Sequence, residues 1–255
     1  MSDSPLKVWT ERDGGLLRLR LSRPKANIID AAMIAALDAA FREASATGVR
    51  AALIDHEGPH FSFGASVEEH LPANCAQMIA SLHALLVRMI EWPAPILVAV
   101  KGQCLGGGLE LALAGSRIFA CADAQLGQPE IKLAVFAPAA SCMLPFRVNQ
   151  QCAEDLLFSG RSLGAEDALR AGLVASVHED PVAAALEYYD RYLAGASAAS
   201  VAYAVRAARV GYTAEVKRRI AEVEKLYLEG LMKTRDANEG LVAFLEKRKP
   251  RYEHR

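Results

Sequence analysis

Leu16 to Leu21 (LLRLRL) alternates apolar and basic residues, which predicts a strand with one face in water. Asp13-Gly14-Gly15 separates it from Lys7 to Glu11, so the two segments are expected to form a hairpin. Pro24 and Asn27 then break the pattern. Asp30 is placed to cap a helix over Ala31 to Ala46, with Met33, Ile34 and Leu37 on one side. Ala51 to Asp55 reads as a second strand, Ala76 to Ile90 as a helix, and Ile96 to Val100 as a strand buried on both faces. Arg117 to Ala120 and Leu173 to Val177 complete the strand-like runs. After Asp180-Pro181 the text is helical through residue 248, and Val216, Ile220, Val223, Tyr227 and Leu231 recur at threes and fours as one stripe. The predicted layout is a mixed α/β core over residues 1–180, followed by a helical region over 181–255 that packs on its own core or docks on another subunit.

Composition changes this picture little. The chain has 255 residues, 52% hydrophobic and 23% charged, enough for a full core and far from disorder. A net charge of -1 offers no bulk basic field, so nucleic acid is not an expected partner. The longest apolar run, Pro95 to Val100, falls well short of the roughly 20 residues that span a bilayer, so no membrane association is expected. The first residues carry neither a basic nor an apolar leader region, which predicts a cytoplasmic protein. Cys75, Cys104, Cys121, Cys142 and Cys152 are odd in number and widely spaced, the usage of reduced thiols rather than of disulfides or a zinc ribbon.

Two motif matches fail on context. His56-Glu57-Gly58-Pro59-His60 fits H-E-x-x-H, but that zinc site needs one helical face, and Gly58-Pro59 would break the helix. Gly160-Arg161-Ser162-Leu163-Gly164 fits the nucleophile elbow G-x-S-x-G, which must join a strand to a helix. Both flanks read as helical here, so a helix-to-helix turn with Ser162 as a cap-like residue is expected. His70, His83, His178 and His254 are isolated and read as surface or core polar residues, and no metal site is expected.

The stretch from Pro95 to Glu130 carries the chemistry. A buried strand is followed by Gly106-Gly107-Gly108 and at once by the helical Leu109-Glu110-Leu111-Ala112-Leu113-Ala114. Such a glycine-rich helix start exposes backbone N–H groups to an anionic oxygen. It lacks the G-K-[ST] of a phosphate loop and the G-x-G-x-x-G of a dinucleotide site. Glu110 lies just inside this helix, and Glu130 follows in Gly127-Gln128-Pro129-Glu130, a tight turn after Arg117 to Ala120. Two carboxylates beside one oxyanion-binding turn suit proton transfer between two atoms, with like charge separating their pKa values. By spacing alone, a glutamate that merely meets the helix dipole is an equal reading of Glu110. Phe61-Ser62-Phe63-Gly64-Ala65-Ser66 could supply a second N–H and complete an oxyanion hole.

These stretches resemble the crotonase (enoyl-CoA hydratase/isomerase) superfamily over nearly the whole chain. The matching pieces are Arg23-Pro24-Lys25-Ala26, Phe63-Gly64-Ala65, Gly102 to Glu110, Gly127 to Glu130, Ser159-Gly160-Arg161, Gly172-Leu173-Val174 and Ala243 to Arg248. Each is short, and their order makes the set specific. The resemblance implies a spiral of β-β-α turns with a C-terminal helical trimerisation region, assembled as a trimer or dimer of trimers. It implies an acyl-CoA thioester as substrate, no further cofactor, Ala65 and Gly107 amides on the thioester oxygen, and Glu110 and Glu130 as the acid/base pair. It places Lys25, Ala26, Phe63, Gly64, Phe244 and Lys247 at the coenzyme A moiety, the last two often against a neighbouring subunit. Phe63, Val67, Phe136 and Phe158 are candidates for the acyl pocket.

Two departures narrow the substrate. Ser66 stands where ordinary enoyl-CoA hydratases carry aspartate, and Ala134 to Cys142 replaces a glycine-rich helix start. With Gly102 to Leu105 and Ala26 to Asp30, these variants resemble the hydratases that add water to a cyclic conjugated dienoyl-CoA in anaerobic benzoyl-CoA degradation. A general enoyl-CoA hydratase or isomerase and a non-catalytic, RNA-binding member of the superfamily are the competing readings. A serine hydrolase built on Ser162 ranks behind both.

Overall fold

A computed structural model of the chain describes residues 4–44 and 48–254. The hairpin forms as expected, β1 (Leu6–Glu11) pairing antiparallel with β2 (Leu16–Leu21). Asp30 caps α1 (Ala31–Glu43) by accepting from the Met33 N–H; the predicted helix end at Ala46 lies outside the described residues. Next come β3 (Ala51–His56), α2 (Cys75–Glu91), β4 (Ile96–Val100), β5 (Gln103–Leu105), α3 (Gly107–Leu113), β6 (Arg117–Ala120) and β7 (Gln125–Gly127). They are followed by α4 (Pro138–Met143), α5 (Gln150–Ser159), β8 (Ser162–Gly164), α6 (Ala165–Arg170) and β9 (Ser176–Val177). Three helices end the chain: α7 (Pro181–Tyr192), α8 (Ala198–Lys225) and α9 (Arg235–Leu245).

The strands form two sheets. The larger has the order β1-β2-β3-β4-β6-β9, parallel from β2 onward, and the smaller has the order β5-β7-β8. The chain passes repeatedly from a large-sheet strand to the small sheet and then into a helix. β4 leads to β5 and α3; β3 leads to an isolated bridge between Ser62 and Cys104, then to α2. This is the expected β-β-α spiral.

Both faces of the large sheet are covered. Leu17, Leu19, Ile54, Ile96 and Val98 point into the main core. Leu16, Leu53, Leu97, Ala99 and Phe119 point the other way, under Ala185 and Tyr189 of α7. The expectation that β2 keeps one wet face is therefore overturned. Arg18 is only 3% exposed and donates to Asp55 and to Glu11, with its guanidinium over the Trp9 ring. A paired guanidinium can be buried where a single charge could not.

Both rejected motifs have structural roles. His56 ends β3, and its Nε2 accepts from the Lys101 N–H at 3.2 Å, while His60 Nδ1 accepts from Gln103 N–H at 3.2 Å. The two rings fasten β3 to the β4–β5 corner. Ser162 is not a cap in a helix-to-helix turn: it opens β8, which pairs antiparallel with β7, and α6 is preceded by Gly164 without a side-chain cap. The three-residue pairing with β7 decides the conformation there.

Candidate active site

β4, β5 and α3 deliver the first half of the site. All seven residues of α3 are buried, so its one charged side chain, Glu110 (3% exposed), must find partners inside the protein. Glu110 Oε1 accepts the Ala140 N–H at 2.8 Å, at the first turn of α4. Burial raises the Glu110 pKa, while the amides of Ala140 and Ala139 and the nearby His83 act against that rise.

β7 delivers the second half. It runs through Gln128 into a 3-10 turn over Pro129–Leu133, which carries Glu130. The expected tight turn after Arg117 to Ala120 thus contains a further strand. The buried Gln128 amide, with its nitrogen turned to the carboxylate, stands 3.1 and 3.0 Å from the Glu130 oxygens. Burial pushes the Glu130 carboxyl up to about 8, and the negative charge of Glu110 adds to the effect. Gly106 makes this approach possible. It lies at φ 51°, ψ -128°, and a Cβ there would sit 2.5 Å from Glu130 Oε1.

The oxyanion-loop residues meet. A Cβ on Gly107 would lie 3.0 Å from the Ala65 nitrogen, so the two backbone segments touch. Neighbouring amides are occupied: Gly64 N–H by Ser62 Oγ, Ser66 N–H by Ile29 O and Gly106 N–H by Gly127 O. Among the described residues the Ala65 N–H has no such acceptor, and the Gly107 N–H, at the first position of α3, has none within its helix.

A cavity of about 360 Å³ opens at this junction. Glu130 lines it together with Phe63, Gly64, Ala65, Gly106 and Phe244, and Val67, Leu133, Val135 and Leu241 make it apolar. Larger clefts between α1 and α2 and along the C-terminal tail are lined by neither Glu130 nor Glu110. Of the acyl-pocket candidates, Phe63 and Val67 line the cavity. Phe136 instead packs edge-on against Tyr227 at 5.1 Å, and Phe158 is 69% exposed. Phe158 projects from the solvent side of α5, a face its own helical spacing could not reveal.

The remaining predicted residues lie at the rim or beyond it. The Ala26 carbonyl accepts the Phe63 N–H at 2.9 Å. Asn27 fixes that segment, its amide nitrogen bonding the carbonyls of Glu57 and His60 at 3.0 Å each. Lys25 and Lys247 are exposed and do not line the cavity. Phe244 lines the cavity of its own chain. Arg248 of the basic tail is held by Glu239 and Glu246.

Sequence reasoning missed three polar residues here. His70 lines the cavity, although it reads as an isolated histidine. Gln128 stood in the motif without a role. Tyr227, read as part of an apolar stripe, is fully buried at a π-helical turn over Leu226–Gly230, and its hydroxyl has no partner among the described residues. No group of three or more metal-ligating side chains occurs among the described residues.

A family model for enoyl-CoA hydratase/isomerase matches residues 11–255. The chain is 60% identical over 255 residues to the cyclohexa-1,5-dienecarbonyl-CoA hydratase of Thauera aromatica, covering 100% of this chain and 99% of that protein. It is 32% identical to the carnitinyl-CoA dehydratase of Proteus mirabilis, covering 95% and 96% of the two chains. Among solved structures, an enoyl-CoA hydratase/isomerase from Pseudoalteromonas atlantica superposes with a TM-score of 0.86 at 29% identity, covering 97% of this chain and 99% of that one. By sequence and fold, the chain belongs to the enoyl-CoA hydratase/isomerase family, the crotonase superfamily.

Proposed function

We propose that this enzyme hydrates cyclohexa-1,5-diene-1-carbonyl-CoA to 6-hydroxycyclohex-1-ene-1-carbonyl-CoA in anaerobic benzoyl-CoA degradation. The observation that carries the reading is full-length identity of 60% to the Thauera hydratase. A raised carboxyl, Glu130, on the wall of an apolar cavity, with the buried Glu110 near enough to add to its shift, agrees with it.

In this scheme the amides of Ala65 and Gly107 hold the thioester oxygen, where negative charge develops. Glu110 acts as the base toward water, and although burial raises its pKa, the Ala140 and Ala139 amides and the nearby His83 work against that rise. Glu130, raised to about 8, holds a proton at neutral pH and donates it. Water adds at the carbon β to the thioester. The resulting enolate is conjugated with the second double bond, so the proton can arrive at the far end of the diene, and the position of the acid selects the carbon. Coenzyme A enters as part of the substrate, near Phe63, Gly64, Phe244, Lys25, Ala26 and Lys247, and the chemistry calls for no metal or organic cofactor. Residues 181–255 serve assembly into a trimer or dimer of trimers. The cytoplasm is the expected compartment; the five cysteines are free, and no helix among the described residues is long and apolar enough to cross a membrane.

Initial rates on the cyclic dienoyl-CoA and on crotonyl-CoA test the substrate. A kcat/KM at least about tenfold higher on the ring supports the reading, a factor the shape of one pocket can supply. Preference for crotonyl-CoA replaces it with the general enoyl-CoA hydratase.

A further inference from the structure

His70 lines the same cavity as Glu130, yet the two-carboxylate scheme gives it no task. It sits at the end of a single 3-10 turn over Glu68–His70, five residues beyond Ala65. Its ring is fixed, Nδ1 standing 2.7 Å from the Ser66 carbonyl oxygen. A carbonyl oxygen can only accept, so Nδ1 carries the hydrogen. In the neutral ring, Nε2 is then left with a lone pair. Burial lowers the His70 pKa, against a smaller opposing effect of the Ser66 hydrogen bond, which keeps the ring neutral near pH 7. Among the described residues no donor stands within hydrogen-bond distance of Nε2. The rest of the cavity wall is mostly apolar, with Val67, Leu133, Val135 and Leu241, and Lys132 lines it as well. An unpartnered acceptor on this half-buried ring can exchange water for a ligand group that donates to it.

The chemistry of the reaction limits what that ligand group can be. The unsaturated ring offers only carbon and hydrogen, and the thioester oxygen is itself an acceptor. Hydration creates one donor on the acyl group, its new hydroxyl. We propose that His70 Nε2 accepts the hydrogen bond of this hydroxyl, which makes His70 a specificity-determining residue for the hydroxyacyl thioester. The inference rests on the hydratase reading above. It also gives the cavity a means of holding the hydroxyl on one side of the ring while the carboxylates exchange protons.

Two inhibition constants in the hydration assay test it. One is that of the hydroxylated product, and the other that of cyclohexane-1-carbonyl-CoA, which shares the thioester and the ring but has no hydroxyl. His70→Leu keeps an apolar side chain and removes the acceptor; His70→Gln returns an acceptor near the position of Nε2. The expected result is about a tenfold rise in the constant for the hydroxylated product with His70→Leu, the size of one lost hydrogen bond. The constant for the saturated ring should stay within about twofold, and His70→Gln should recover most of the loss. Equal weakening of both ligands would overturn the proposal, because His70 would then serve the pantetheine arm or the pocket shape. No change for either ligand would overturn it as well. Should the wild-type enzyme prefer crotonyl-CoA, 3-hydroxybutyryl-CoA against butyryl-CoA makes the same comparison, so failure of the ring assignment is separable from failure of this one.

Discussion

At Glu130 burial and the neighbouring Glu110 act in the same direction, and the carboxyl rises from 4.5 to about 8. A raised carboxyl binds its proton more tightly in the folded than in the unfolded chain. Below about pH 4.5 both states are protonated and there is no difference between them. Between about 4.5 and 8 the unfolded chain loses its proton first, so stability falls as pH rises, and above 8 the penalty is constant. Glu130→Gln lacks this penalty. Urea unfolding should find the variant gaining on the wild type across that window, by on the order of 2–4 kcal/mol at pH 8. Equal slopes in the two proteins would show an ordinary carboxylate. In turnover the order reverses: Glu110→Gln and Glu130→Gln should each lower kcat about 10²- to 10⁴-fold, with acyl-CoA affinity changed little in a binding titration. Near wild-type rates in both variants would remove the assigned roles.

The elements set where these residues stand, and α9 forms one wall of the cavity. Its approach depends on Gly240, where a Cβ would lie 2.1 Å from the Leu133 carbonyl oxygen. Gly240→Ala should push α9 off the turn that carries Glu130 and displace Leu241 and Phe244. The expected outcome is a KM for the thioester raised about tenfold or more, with a lower Tm, since overpacking costs about 1–3 kcal/mol. An unchanged KM would mean that α9 does not shape the site. This scale was the least legible in the sequence. β3, β4 and β6 announce themselves as short apolar runs, and the spacing predicts α2 to within a residue at each end. β5, β7 and β8 have three residues each, too few to display a period of two, so the small sheet leaves no pattern in the sequence and Ser162 reads as a turn residue. Glu110 could be found because glycine, helix start and carboxylate lie together in the chain. His70 could not, because its value depends on lining one cavity with Glu130, Leu133 and Leu241, which are distant in sequence.

At the scale of the whole molecule, α8 stands out. Of its 28 residues Val216 and Ile220 are the buried ones, while Tyr203 and Val210 are 71% and 75% exposed in the isolated chain. The trimeric assembly proposed above would cover such a face. Val210→Glu should therefore shift sedimentation toward monomer, and an unchanged oligomer would place the interface elsewhere.

The reaction is defined by what enters the cavity and where its proton goes. Mass spectrometry of the product formed from the cyclic dienoyl-CoA in deuterated water reports both. The expected product is 6-hydroxycyclohex-1-ene-1-carbonyl-CoA with one non-exchangeable deuterium at the ring carbon at the far end of the former diene. Deuterium on the carbon next to the thioester, or no hydrated product from the ring while crotonyl-CoA is turned over, would contradict it.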